Sequence, residues 1–131
     1  MTRFAAYTNA NVATSSSPQL MVALFRGALR NMHGSTGAFE RGDYRTGSEM
    51  AEKAAMIVLG LQGTLKTEVA PDLCARLTEL YTFVACRLCM AGAKFSAQHV
   101  LEAEQVFAPI AEAFELAASS PAGGEQIRAA R

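Results

Sequence analysis

The chain has 131 residues, of which 50% are hydrophobic and 18% are charged, whereas about 25% of residues are charged in typical soluble domains. Twelve Lys and Arg residues balance twelve Asp and Glu residues, so the sequence lacks the positive charge that nucleic-acid binding and membrane-surface binding require. Three cysteines make a disulfide scaffold improbable, and no segment has the ~18 consecutive apolar residues that span a bilayer, so we expect one cytoplasmic domain with free thiols and no membrane insertion.

The first sixteen residues are mostly small and polar, with Phe4, Tyr7 and Val12 spaced through them. Such a segment has too few apolar side chains to fold alone. We therefore predict an N-terminal arm at 1–16 that either docks on the domain or stays loose.

The first helix is predicted to begin at Ser17-Pro18. Serine caps a helix N-terminus well, and proline is tolerated at the first helical position because its missing N–H would be unpaired there anyway. The apolar periodicity continues to about Phe39 or Arg41.

Three further helices follow the first one. Gly42 and Asp43 end the first helix and cap the second, and Ser96 is a suitable cap for the fourth. The three helices are predicted at 44–66, 71–91 and 97–118, and Pro109 is expected to kink the last one. The bundle is therefore expected at 17–118, followed by a flexible tail at 119–131.

The predicted helices carry more apolar surface than one core needs. The apolar arc of the first helix covers about 200° on a helical wheel, about twice the ~100° stripe of an ordinary core-facing helix. The second and third helices also carry apolar residues among charged ones. The candidate groove residues are Met21, Phe25, Leu29, Met32, Met56, Leu59, Phe83, Cys86 and Met90.

Two interpretations of this surplus remain open at this stage. Over half of any folded surface is apolar, so the surplus is either ordinary or covered by the N-terminal arm. Alternatively, pliable methionines line grooves that accept amphipathic segments of another chain.

The sequence contains no recognisable catalytic motif. A Gly-rich phosphate loop, H-E-x-x-H and G-x-S-x-G are all missing, and the two histidines, His33 and His99, lie on different predicted helices. Cys86 and Cys89 form a C-x-x-C in mid-helix, but the four ligands of a zinc site are not available. We expect no enzymatic activity, no cofactor and no metal.

Six short motifs lie along the chain: A-Y at 6–7, V-x-T at 12–14, S-P-x-L at 17–20, L-F-x-G-A at 24–28, G-D at 42–43 and L-Y-x-F-V-x-x-R-L at 80–88. Together they resemble the motifs of the FliS family of flagellin export chaperones. They occur in the family's order and spacing, and the resemblance covers about residues 4–118.

The resemblance implies an antiparallel four-helix bundle that binds the disordered C-terminal segment of flagellin. It also implies that the chaperone prevents premature polymerisation and presents flagellin to the export gate protein. Tyr7 matches a family tyrosine implicated in capping a groove and in docking to the gate. Phe4 and Val12 belong to the same arm. The alternative is a homo-oligomeric or regulatory helical bundle whose spare face is a self-interface, and we expect a monomer or weak dimer.

Overall fold

A computed structural model describes Thr14 and residues 17–119 of this chain. This part of the chain contains the helices α1 (Pro18–Glu40), α2 (Tyr44–Gly63), α3 (Pro71–Lys94) and α4 (Ala97–Ser119). The predicted all-α fold class is thereby confirmed. Phe4, Tyr7 and Val12 of the expected arm lie outside the described residues, as does the expected tail after Ser119.

Three of the helices begin with the side-chain caps that the sequence predicts. The backbone N–H of Leu20 donates to Ser17 Oγ at 3.2 Å. In the same way, Asp43 Oδ1 accepts from the N–H of Thr46 at 3.3 Å, and Ser96 Oγ accepts from the N–H of His99 at 3.3 Å. Each cap satisfies an N–H group that has no partner within its own helix.

Two helix ends differ from their predicted positions. α2 stops at Gly63 rather than near residue 66, because the Thr64 hydroxyl donates to the carbonyl of Leu61 at 2.7 Å and the chain turns there. α3 continues past residue 91 to Lys94 and ends at Phe95, which has a left-handed backbone with φ of 54°. α4 continues through Pro109, so this proline does not break the helix.

The four helices are antiparallel to their neighbours. Three, seven and two residues connect them in turn, and connections this short join antiparallel neighbours. At least one polar contact joins each pair of neighbouring helices. Between α1 and α2, Ser35 Oγ donates to Gly47 O at 2.7 Å, and between α2 and α3, Ser48 Oγ donates to Gly92 O at 2.9 Å. Arg87 of α3 pairs with Glu102 of α4 at 3.9 Å, and His33 Nε2 of α1 lies 2.7 Å from Glu104 Oε1 of α4. The last contact closes a ring in which α1 packs against both α2 and α4.

The centre of the core is a cluster of aromatic rings from α1, α3 and α4. The ring centroid of Phe25 lies 4.9 Å from that of Phe114, 5.1 Å from that of Phe107 and 6.5 Å from that of Tyr81. α2 contributes mainly small buried residues to this core. The large rings of α1, α3 and α4 therefore fill the centre of the bundle, and the small residues of α2 let its backbone lie close to them.

Candidate protein-binding surface

The outer side of α3 carries an apolar stripe that the core does not cover. Phe83 is 40% exposed and Met90 is 36% exposed, and Cys86 between them is also exposed. Residues at this spacing share one side of a helix. Tyr81, Val84 and Leu88 lie on the opposite side of α3 and are fully buried. The second stripe predicted on this helix is therefore present as open surface.

The outer side of α2 carries a second apolar patch. Met56 is 69% exposed and Leu59 is 47% exposed. Beside them, Gly60 and Gly63 have no non-local atom within 4 Å of the position that a Cβ would occupy. The second half of α2 therefore presents bare backbone flanked by two apolar side chains.

These patches lie on neighbouring helices, at a similar level along the bundle. Ser48 of α2 is level with Gly92 of α3, because the serine hydroxyl donates to that carbonyl. Counting along both antiparallel helices from this contact places Met56 level with Val84, one residue from Phe83. We call the two patches together the α2–α3 face and define it by Met56, Leu59, Phe83, Cys86 and Met90.

The α2–α3 face continues towards α4. The guanidinium carbon of Arg87 lies 5.2 Å from the centroid of the Phe83 ring, and Arg87 Nε lies 3.9 Å from Glu102 Oε2 of α4. Leu80, one turn before Phe83, is also exposed. On the sequence alone we would place Leu80 in the core stripe of α3, but Tyr81 occupies that position because its ring packs against Phe25 and Phe107.

The structure corrects the expected placement of three residues of α1. Met21, Phe25 and Met32 are at most 1% exposed, so they belong to the core and do not line an open groove. Leu29 is half-buried and packs against the same core. Because α1 contacts both α2 and α4, most of its wide apolar arc is used inside the bundle, and Leu20 at its first turn is half exposed.

A shallow groove follows the seam between α1 and α2. It is lined by Asn31, Glu49, Glu52, Lys53, Met56 and Ile57. Lys53 and the two glutamates lie along the groove, but most of its lining surface is apolar. Met56 belongs both to this groove and to the α2–α3 face.

The chain just before α1 contacts the connection between α2 and α3. Thr14 forms an isolated antiparallel bridge with Leu65, and its hydroxyl donates to the sulfur of Met21 at 3.6 Å. Thr14 is buried. The chain is therefore docked at this point, at the end of the bundle where α1 begins.

A separate aromatic patch, which sequence reasoning missed, lies at the opposite end of the bundle. The rings of Tyr44 and Phe95 stack with centroids 5.3 Å apart, and both side chains are about half exposed. The residues join the start of α2 to the end of α3, which are far apart in sequence. A helical wheel of either helix alone therefore gives no signal for this pair.

Comparison with known proteins shows which family the chain matches. The model of a family described as flagellar protein FliS matches residues 1–121.

The chain belongs to the FliS family.

The flagellar secretion chaperone FliS of Salmonella typhimurium (strain LT2) is 33% identical to it over 105 residues, which are 79% of this chain and 78% of that protein. The resemblance seen in the sequence is confirmed, and the α2–α3 face lies on a flagellar secretion chaperone. Within the described part of the chain, no helix is long and apolar enough to cross a membrane.

Proposed function

We propose that this FliS protein binds the disordered C-terminal segment of flagellin on its α2–α3 face. In the cytoplasm it keeps that segment from polymerising prematurely and presents it to the export gate protein of the flagellar secretion system. The observation that carries this proposal is the exposed apolar surface of Met56, Leu59 and Phe83 on a bundle of a flagellar chaperone family.

The chemistry of the face suits an amphipathic client. A helix or extended segment gains affinity by placing its apolar side chains against such a surface. Flexible side chains such as Met56 and Met90 adapt to clients of different shape. Each Å² of apolar area buried contributes about 25 cal/mol, from which the cost of ordering the client is subtracted.

The N-terminal arm has a separate role in this proposal. Phe4, Tyr7 and Val12 belong to the arm that covers a client groove and docks to the export gate. Thr14 forms a bridge with Leu65 at the end of the bundle where α1 begins. This contact supports an arm that is attached to the bundle at that end.

A homo-oligomeric or regulatory bundle is the alternative function, since the same exposed apolar face also suits a second copy of the chain. The two functions differ in the free protein. A client-binding surface stays open in a monomer, whereas a self-interface buries Phe83 and Met90 in a dimer. Mass measurement in solution over a range of protein concentrations separates them.

Calorimetric titration with a peptide from the C-terminal region of the host's flagellin tests the proposed function. We expect one-to-one binding with a negative heat-capacity change, which marks burial of apolar surface. A shuffled peptide of equal composition is the control. If neither the full chain nor a chain lacking residues 1–15 binds the peptide, the proposed client is wrong.

A further inference from the structure

Two cysteines and a methionine lie together on the outer side of α3. Cys86 and Cys89 are both free and exposed, and Met90 is partly exposed beside them. Free cysteine is among the most buried residue types in proteins, so two exposed thiols within one helical turn are unusual. Neither thiol contributes to the buried core cluster.

The helix geometry favours a shared ligand over a disulfide between the thiols. Residues three apart on a helix have Cβ atoms about 5–6 Å apart, whereas a disulfide requires about 3.5–4.5 Å. Cys86 and Cys89 lie within α3, well inside its ends at Pro71 and Lys94, so the helix would have to unwind to close a disulfide. A metal ion about 2.3 Å from each sulfur bridges sulfurs up to about 4.6 Å apart, which this Cβ separation allows.

Met90 supplies a third sulfur on the same side of the helix. It follows Cys86 by four residues, so these two side chains are neighbours. At 100° per residue, the three sulfur-bearing residues span an arc of about 100°. Arg87 lies between the cysteines in sequence, but its guanidinium is engaged by Phe83 and Glu102.

We propose that Cys86, Cys89 and Met90 form a binding site for a soft monovalent cation of the copper(I) type. Thiolate and thioether ligands select such cations. Binding replaces the proton of each coordinating thiol, so two protons are released to solvent and the site with its ion carries one negative charge. Within the described residues, no group of three or more His, Cys, Asp or Glu side chains is placed to hold a metal ion. This proposal therefore depends on the methionine sulfur as the third ligand.

The third cysteine provides an internal comparison. Cys74 is buried, and its thiol donates to the carbonyl of Lys66 at 3.5 Å. Burial raises the pKa of the Cys74 thiol, and the nearby Glu68 carboxylate raises it further. Both effects keep this thiol protonated, so it is a poor metal ligand.

Copper(I) titration of the full reduced chain without oxygen tests the proposal. The chelator bathocuproine disulfonate competes for the ion, and the absorbance of its copper(I) complex reports how much the protein has taken. We expect one ion per chain. Loss of a contact that only supports a metal ligand lowers metal affinity about 10- to 100-fold. The Cys86→Ser/Cys89→Ser double variant keeps Cys74 but loses two ligands, so its copper(I) affinity should fall by more than this.

Three further results decide the proposal. Met90→Leu should weaken copper(I) binding while helicity by circular dichroism is unchanged, and Cys74→Ala should leave the affinity unchanged. Zinc(II) should bind more weakly than copper(I), because structural zinc sites use four ligands. Copper(I) binding that survives in the double variant, or that depends on Cys74, would overturn the proposal. Unchanged binding in Met90→Leu would overturn it as well, because the proposed site depends on the methionine sulfur.

Discussion

Phe83→Glu is the sharpest test of the α2–α3 face as a client surface. Phe83 is 40% exposed, and an aromatic side chain has a total area of about 200 Å². A client that covers the exposed part therefore removes about 80 Å² of Phe83 from water, which contributes about 2 kcal/mol. Losing this contribution weakens binding about 30-fold, and a buried glutamate carboxylate adds to the loss.

The same substitution should leave the bundle stable. It removes the contact between the Phe83 ring and the Arg87 guanidinium, which contributes about 0.5–1 kcal/mol at an exposed site. In return, a glutamate four residues before an arginine forms a favourable helical ion pair of about 0.2–0.5 kcal/mol. Glutamate also has a higher helix propensity than phenylalanine, so we expect a melting temperature within a few degrees of the parent chain.

Titration calorimetry with the flagellin peptide measures the affinity, and circular dichroism measures helicity and melting. Tyr44→Glu is a matched control, since it exchanges an exposed aromatic for glutamate at the end of the bundle, away from the α2–α3 face. An affinity unchanged in Phe83→Glu would refute the assignment of this face. Equal losses in both variants would show that the effect is not specific to it, and loss of helicity would place Phe83 in the core.

Three other predictions use glycines and thiols. Gly60→Ala should raise the free energy of unfolding by about 1 kcal/mol in a denaturant titration, because alanine favours the helix and its methyl group meets no atom; an unchanged or lower value contradicts this. Gly47→Ala should lower the free energy of unfolding, because its Cβ would lie 2.5 Å from ring atoms of Phe39; a gain in that titration would show that the ring moves freely. An aromatic disulfide reagent at neutral pH should label Cys86 quickly and Cys74 slowly, as followed by mass spectrometry, because Cys74 is buried with a raised pKa; equal rates would place Cys74 at the surface. The raised pKa of Cys74 also makes the free energy of unfolding depend on pH. The contribution of this thiol to stability is fully present below its pKa in the unfolded chain, and it is lost as the pH rises through its higher pKa in the folded chain.

The helices themselves could be predicted from sequence because their signals are local. Ser17, Asp43 and Ser96 all act as the caps that their positions suggest. The end of α3 could not be placed as well, since Gly92 looks like a helix end in the sequence. In the structure its carbonyl accepts from Ser48 of the neighbouring helix, and the helix continues.

The candidate surface could be predicted on α2 and α3 but not on α1. Phe83 and Met90 stand among charged residues opposite a clear core stripe, so one helix is enough to show that they face outward. Met21 and Phe25 belong to an arc so wide that its use depends on how many neighbours α1 has. The number of neighbours depends on contacts between helices that are distant in sequence, such as the one between His33 of α1 and Glu104 of α4. The sequence of a single helix does not reveal such contacts.

The three short connections have a consequence for how fast the chain folds. They keep consecutive helices adjacent in space, so contacts between these helices span fewer residues than contacts between α1 and α4. Helical bundles with low contact order fold within microseconds to milliseconds. The seam between α1 and α4 is different, because the pair Arg26 and Glu115 joins residues 89 positions apart. Closing this seam costs the most chain entropy, so we expect it to form late. In stopped-flow experiments, Glu115→Gln should then speed unfolding while hardly changing the folding rate, whereas slower folding would place the seam in the folding nucleus.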